Sequence, residues 1–447
     1  MAQQNRNLDQ DFKAAVAQYE AGKYPEAAAQ LEKLLPEVPK SFEVHELLGL
    51  VYSAESQDIK ANAHLEQAVR LQPDSVAART NLAANLLRLG KVDLAREQFR
   101  KAAELAPQNF DVNHNLGEMY VRSGKLVEAI PFLEKAQQLE PSSYDNGYDL
   151  SLAYLLIGRL ADARQSVSGL LKVKDTAELH NLLGEIEEKD GKFLEAANQF
   201  ELAAHADPSE SNLFDWGSEL LIHQTLEPAI QVFQNASERY PESPRLAIGL
   251  GMALYALGKY DDAVKSLLRA ADLSPSDPRC YPFLSRAYDS SPSHADEVIQ
   301  RFRRYAELQP RKGLALYYYA ISLWKGKRVE DPGMDLHQIE SLLKQAIVLD
   351  PKLAEAHLQL GNLYSDEKRY PEAIPEYTRA LELNSDLADA HYRLGQAYVR
   401  TSKKDRAQEQ FEVYQKLRAQ HLADLDKQRA EIRQFVYAAK DNPAAKP

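Results

Sequence analysis

Eleven histidines and a single cysteine are the residues of this 447-residue chain with the widest chemical range, and their spacing decides what they can do. His45, His180, His357 and His391 each stand four residues before a glycine: Gly49, Gly184, Gly361 and Gly395. Side chains at equivalent, repeated positions are spread along the chain and cannot converge on one ion, which argues against a shared metal site. Cys280 follows Arg279, a neighbour that can activate a thiol, but no histidine lies close in sequence to serve as its base. One cysteine also excludes an internal disulfide and a cysteine-rich zinc site. Gly249-Leu-Gly251 lacks the third glycine and the preceding strand of a phosphate-binding loop. Asn235-Ala-Ser237 has the form of a glycosylation acceptor but falls inside a helical stretch. The expectation is therefore a chain that is not an enzyme, with no catalytic residue, no metal and no cofactor.

The elements that would carry these residues are helices in pairs. The stretch Asn113–Pro141 shows the unit: two amphipathic helices, a short break at Arg122–Gly124, and a closing proline. Small residues recur at Ala15, Gly49, Ala83, Gly117 and Ser151, each 34 apart, and continue at Gly184, Gly217, Gly251, Ser285, Ala320, Gly361 and Gly395. Twelve residues after most of them stands an alanine, among them Ala27, Ala61, Ala95, Ala129 and Ala263. Two helices approach to about 8–10 Å at a crossing, and only a small residue fits at the closest point. Prolines such as Pro39, Pro73, Pro107 and Pro275 then end the pair, because proline cannot continue a helix.

These offsets, with tyrosines at Tyr52, Tyr120, Tyr154 and Tyr364 and second-helix aromatics at Phe99, Phe200, Phe233 and Phe411, resemble the tetratricopeptide repeat (TPR) family. The resemblance implies an all-α, right-handed superhelical TPR solenoid of about twelve helix-turn-helix repeats with a C-terminal capping helix. It divides the chain into a polar lead, 1–7, a continuous solenoid, 8–421, irregular over 278–353, a capping helix, 422–440, and a disordered tail, 441–447. Leu422, Leu425, Ile432, Phe435 and Val436 give that last helix its apolar face. Insertions at 289–297 and 325–338 account for the irregular stretch.

The net charge of −12, with no lysine- or arginine-rich run, argues against nucleic acid. No window approaches the roughly 20 apolar residues that span a bilayer. The start has no apolar core of a secretory signal. Taken at face value the chain is cytoplasmic, or exported or periplasmic if a signal was removed.

What the resemblance implies about function is a non-enzymatic protein–protein interaction scaffold that holds a peptide or protein segment in a concave groove. The family's chaperone-tail binders place Lys-x-x-x-Asn in one first helix, and no first helix here contains it. The inward offsets are polar in repeats two to four and turn apolar further on. They give a peptide-binding groove of Tyr148, Leu152, Leu156, Phe214, Leu221, Ile248, Met252, Tyr255, Tyr317, Ile321 and Trp324. Ile222 lies beside Leu221 in the same stripe, while Trp216 precedes its crossing glycine and is expected in the core. A second device is a ladder, Asn81, Asn115 and Asp149, spaced by 34. In a subset of the family, notably the repeat region of O-linked N-acetylglucosamine transferases, inner asparagines grip an extended peptide backbone. Two other readings stand beside the scaffold: a head-to-tail filament subunit, with self-association through the solenoid ends or the C-terminal helix, and an accessory subunit of an enzyme or secretion complex.

Overall fold

The computed structural model describes residues 2–291, 294–326 and 336–420, with side chains from residue 8 onward, and these are helical with no strand. The expected capping helix, the tail and the centre of the second insertion lie outside the described residues. The chain forms two compact units, Met1–Asp190 and Gly191–Pro447.

The first unit is a run of helix pairs: α1 (Ala2–Glu20) with α2 (Tyr24–Leu34), α3 (Phe42–Ala54) with α4 (Asp58–Leu71), α5 (Val76–Arg88) with α6 (Val92–Leu105), α7 (Phe110–Arg122) with α8 (Leu126–Leu139), and α9 (Tyr144–Leu156) with α10 (Leu160–Leu171), followed by α11 (Ala177–Lys189). The second unit opens on α12 (Phe193–Ala206) and continues in pairs: α13 (Glu210–Ile222) with α14 (Leu226–Arg239), α15 (Pro244–Ala256) with α16 (Tyr260–Leu273), α17 (Cys280–Ser290) with α18 (Ala295–Leu308), α19 (Gly313–Lys325) with α20 (Leu336–Leu349), and α21 (Ala354–Asp366) with α22 (Tyr370–Leu383). Its last described helices are α23 (Ala388–Arg400) and α24, residues 404–420. The polar lead expected over 1–7 begins the helix already, since α1 starts at Ala2.

The pairs cross where the small residues predict. A Cβ on Gly117 would lie 2.5 Å from Leu133 Cδ2, one on Gly49 2.5 Å from Leu65 Cδ2, and one on Gly251 2.5 Å from Leu267 Cγ. In each case the touching residue is the sixteenth along, the position that carries Phe233 after Gly217 and Phe411 after Gly395. The alanines at the other crossing position are fully enclosed, Ala27, Ala61, Ala95, Ala129 and Ala263 all at 0% exposure.

Caps follow the prolines. Two residues after Pro39, Ser41 Oγ accepts the Val44 N–H at 3.3 Å, and two after Pro107, Asn109 Oδ1 accepts that of Val112 at 3.0 Å. The proline carbonyls are used as well. Arg79 Nε donates to Pro73 O at 2.7 Å, Asn113 Nδ2 to Pro107 O at 3.1 Å, and the Tyr281 hydroxyl to Pro275 O at 2.6 Å. His45 and His391 reach back in the same way, to Pro39 O at 3.2 Å and Ser385 O at 3.1 Å. All these residues stand four before the small residue, the position of the four recurring histidines. Those four are buried, as packing residues must be. Each backward hydrogen bond satisfies a carbonyl that a proline-terminated helix would leave to water.

Candidate functional site

In the second unit α13, α15 and α17 lie side by side and their shared face lines a cavity of ≈760 Å³. α13 contributes Phe214, Ser218, Leu221 and Ile222; α15 contributes Arg245, Ile248, Met252 and Tyr255; α17 brings Pro282 and Phe283, with Arg279 just before it. Phe233 of α14 forms the floor. Its ring sits between two glycines: a Cβ on Gly249 would fall 2.5 Å from Phe233 Cε1, and one on Gly217 2.9 Å from the same atom. The Gly249-Leu-Gly251 run is therefore the interior of α15, with its glycines set by packing against Phe233 and Leu267.

The walls are apolar and one end is charged. Ile222 is 64% exposed, an isoleucine held at the mouth with nothing of the described chain over it. Arg245 lies over the Phe214 ring at 4.3 Å and faces Glu210 at 3.4 Å. Beside it, burial raises the Asp215 carboxyl above its usual range, with Arg245 and Ser211 pulling the other way. Arg279, one repeat further on, is clasped by Asp277 at 2.6 Å and holds that carboxyl below its ordinary value.

Of the residues read from the sequence, this cavity brings together Phe214, Leu221, Ile248, Met252 and Tyr255. It does not include the others. Tyr148 and Leu152, on α9 of the first unit, are half-buried against that unit's core, and Leu156 is exposed. On α19, Ile321 is core, and Tyr317 and Trp324 are half-buried against the cluster it belongs to, with Tyr317 also packed on the core beneath the cavity. Trp216 departs from expectation: it is half-buried, with its ring 5.7 Å from that of His205, because its side of α13 is only partly covered. Arg245, Arg279, Pro282 and Phe283 were missed. A signal existed, since Pro282 and Phe283 stand 34 after Ile248 and Gly249, but the irregular ninth repeat masked it.

The ladder sits in the first unit, on α5, α7 and α9. Asn81, Asn115 and Asp149 are half-buried, and their side chains make no hydrogen bond to another described residue. Nearby asparagines behave differently. Asn85 Nδ2 donates to Asp58 O at 2.9 Å, and Asn146 Nδ2 to Leu133 O at 2.9 Å. Burial, with Glu118 adding repulsion, raises the Asp149 carboxyl, against the pull of His114 and Arg122. Cys280 is enclosed, and burial together with Asp277 pushes its thiol up to about 12, the reverse of activation.

Stacked helix pairs with a glycine, alanine or serine at the crossings, and an apolar face left open across three first helices, define a helical-repeat interaction scaffold. The chain belongs to the tetratricopeptide repeat family: its models match residues 12–55, 60–110, 80–144, 120–186, 214–278, 361–402 and 388–421, together well over half of the sequence. Among curated proteins it is 24% identical over 157 residues to protein O-mannosyl-transferase TMTC1 of Homo sapiens, covering 35% of this chain and 17% of that one. It is 26% identical over 189 residues to TPR repeat-containing protein YpiA of Bacillus subtilis (strain 168), covering 42% of each. The chain thus spans less than half the length of either relative. Among solved structures, the APC/C hetero-tetramer Cut9–Hcn1 matches at a TM-score of 0.39 and 15% identity, over 93% of this chain and 95% of that one. No described helix is long and apolar enough to cross a membrane.

Proposed function

We propose that the chain is a non-enzymatic scaffold whose apolar groove on α13, α15 and α17 binds a hydrophobic segment of a partner protein. The carrying observation is the ≈760 Å³ apolar cavity with Ile222 exposed at its mouth. Contiguous exposed apolar surface of this kind is costly to leave in water, and a helical or extended segment with bulky side chains would cover it. In the first unit, the unengaged amides of Asn81 and Asn115 and the Asp149 carboxylate support a second contact, with the backbone of an extended peptide. Backbone recognition of that kind tolerates sequence, while the apolar groove selects for large side chains. The test is capture of partners from the native cell extract by wild-type chain and by Met252→Asp, with sedimentation velocity over a concentration series in parallel. Loss of a saturable partner in the variant, with a monomer at all concentrations, is the expected result. Concentration-dependent growth with no partner lost would favour the head-to-tail filament.

A further inference from the structure

The position four residues before the small residue has a partner nineteen residues further along, on the second helix of its pair. In the last pair His391 Nδ1 lies 2.7 Å from Gln410 Oε1; in the eleventh, His357 Nδ1 lies 2.7 Å from Glu376 Oε2. In the second pair the partner is another histidine, and His45 Nδ1 lies 3.0 Å from His64 Nδ1. The four recurring histidines cannot share an ion, but His64 is not one of the four.

Hydrogen bonding fixes the form of His45. Its Nε2 faces the Pro39 carbonyl at 3.2 Å, and a carbonyl only accepts, so Nε2 carries the hydrogen and Nδ1 presents its lone pair. That is how a metal-ligating histidine is held, with its second nitrogen donating to a backbone oxygen. His64 is half-buried, stacked 5.7 Å from the Tyr52 ring. When its proton moves from Nδ1 to Nε2, a second lone pair faces the first. The Tyr52 hydroxyl donates to Glu32, and that carboxylate lies close enough to act on His64 electrostatically.

We propose that His45 and His64 form a two-imidazole site for a divalent transition ion of the copper(II) or zinc class, with Glu32 as its outer carboxylate. Bonds of about 2.0–2.1 Å place two nitrogens roughly 2.8–3.0 Å apart when they meet at a right angle and roughly 3.3–3.4 Å apart at a tetrahedral one. The 3.0 Å separation falls in that span, so a tilt of the His64 ring brings both lone pairs onto one ion. Water completes the coordination. Two imidazoles select against calcium and magnesium, which require oxygen.

The test uses full-length, untagged, chelator-stripped protein titrated with copper(II), followed by calorimetry and electron paramagnetic resonance, with zinc as competitor. The key variant is His64→Gln, which installs the His–Gln pairing native to the last pair and so keeps the helix contact. Wild type is expected to bind one ion most tightly, with a hyperfine pattern from two nitrogens, displaceable by zinc. Glu32→Gln should bind about tenfold more weakly, the lower end of the range that loss of an outer-shell partner spans, and His64→Gln, which removes a direct ligand, at least about 100-fold more weakly. Unchanged helix content by circular dichroism makes these losses local. Equal copper affinity in wild type and His64→Gln would overturn the site, as would a wild-type spectrum without two nitrogen ligands.

Discussion

Replacing Gly249 by alanine tests how the packing shapes the groove. The added methyl would stand 2.5 Å from Phe233 Cε1 and 2.7 Å from Phe233 Cζ. Ordinary contact between carbons lies near 3.5–4.0 Å, so the overlap is about 1 Å. The ring cannot slide away freely, because it is fully enclosed and already lies against Gly217 on the other side. Overpacking of this kind costs about 1–3 kcal/mol. Phe233→Leu removes the ring and the overlap together, at part of the ~3–5 kcal/mol that truncation of a buried phenylalanine to alanine costs. The double variant should therefore be more stable than the sum of the two single losses by about 0.5–2 kcal/mol, a coupling typical of residues in contact. Urea unfolding gives the sum, and native-state hydrogen exchange should localise the loss to α13–α16, since repeats interact chiefly with their neighbours. Additivity within about 0.3–0.5 kcal/mol, or an even loss of protection along the chain, would refute the account.

Three further outcomes follow. Asn85→Ala should destabilise by about 1–2 kcal/mol because the fully enclosed Asn85 amide ties α5 to Asp58 O and accepts from Arg88, whereas Asn81→Ala and Asn115→Ala, which break no hydrogen bond, should stay within about 0.5 kcal/mol in urea titrations. Glu340 is buried enough to raise its pKa, but hydrogen bonds from Lys344, Arg369 and Tyr364 outweigh burial and lower it to about 2 from 4.5; its stabilisation is thus complete above pH 4.5 and fades as pH falls toward 2, and Glu340→Gln should flatten that acid limb in pH-dependent unfolding. Cys280, with its thiol pushed up to about 12, should ignore Ellman's reagent at pH 8 until the chain is unfolded.

The helix pairs were legible because a crossing imposes a repeated demand on residue size. Gly117 and Ala129 announce the crossing wherever they recur, and no distant contact is needed to read it. The groove was legible only in part. Phe214, Leu221 and Met252 follow from inward offsets, but which offsets remain uncovered depends on neighbours: Ile321 holds an inward position and is nonetheless closed into the core. Trp216 failed for the opposite reason, since proximity to a crossing glycine does not guarantee that both faces of a large ring are covered. The pairing of His45 with His64 joins two helices at a nineteen-residue spacing, which no single-helix pattern displays.

The central claim is that the apolar face of α13, α15 and α17 is where a partner segment sits. Its most direct test places a photocrosslinking amino acid at residue 222, which is 64% exposed at the groove mouth, and in a second chain at residue 202 of α12, a leucine 46% exposed outside it. Both chains are irradiated in the native cell and the crosslinked peptides are sequenced. The account predicts a discrete partner peptide with bulky apolar residues from position 222, lost when Met252→Asp is added, and none from position 202. Equal labelling from both positions, or crosslinks at 222 that Met252→Asp leaves unchanged, would contradict it.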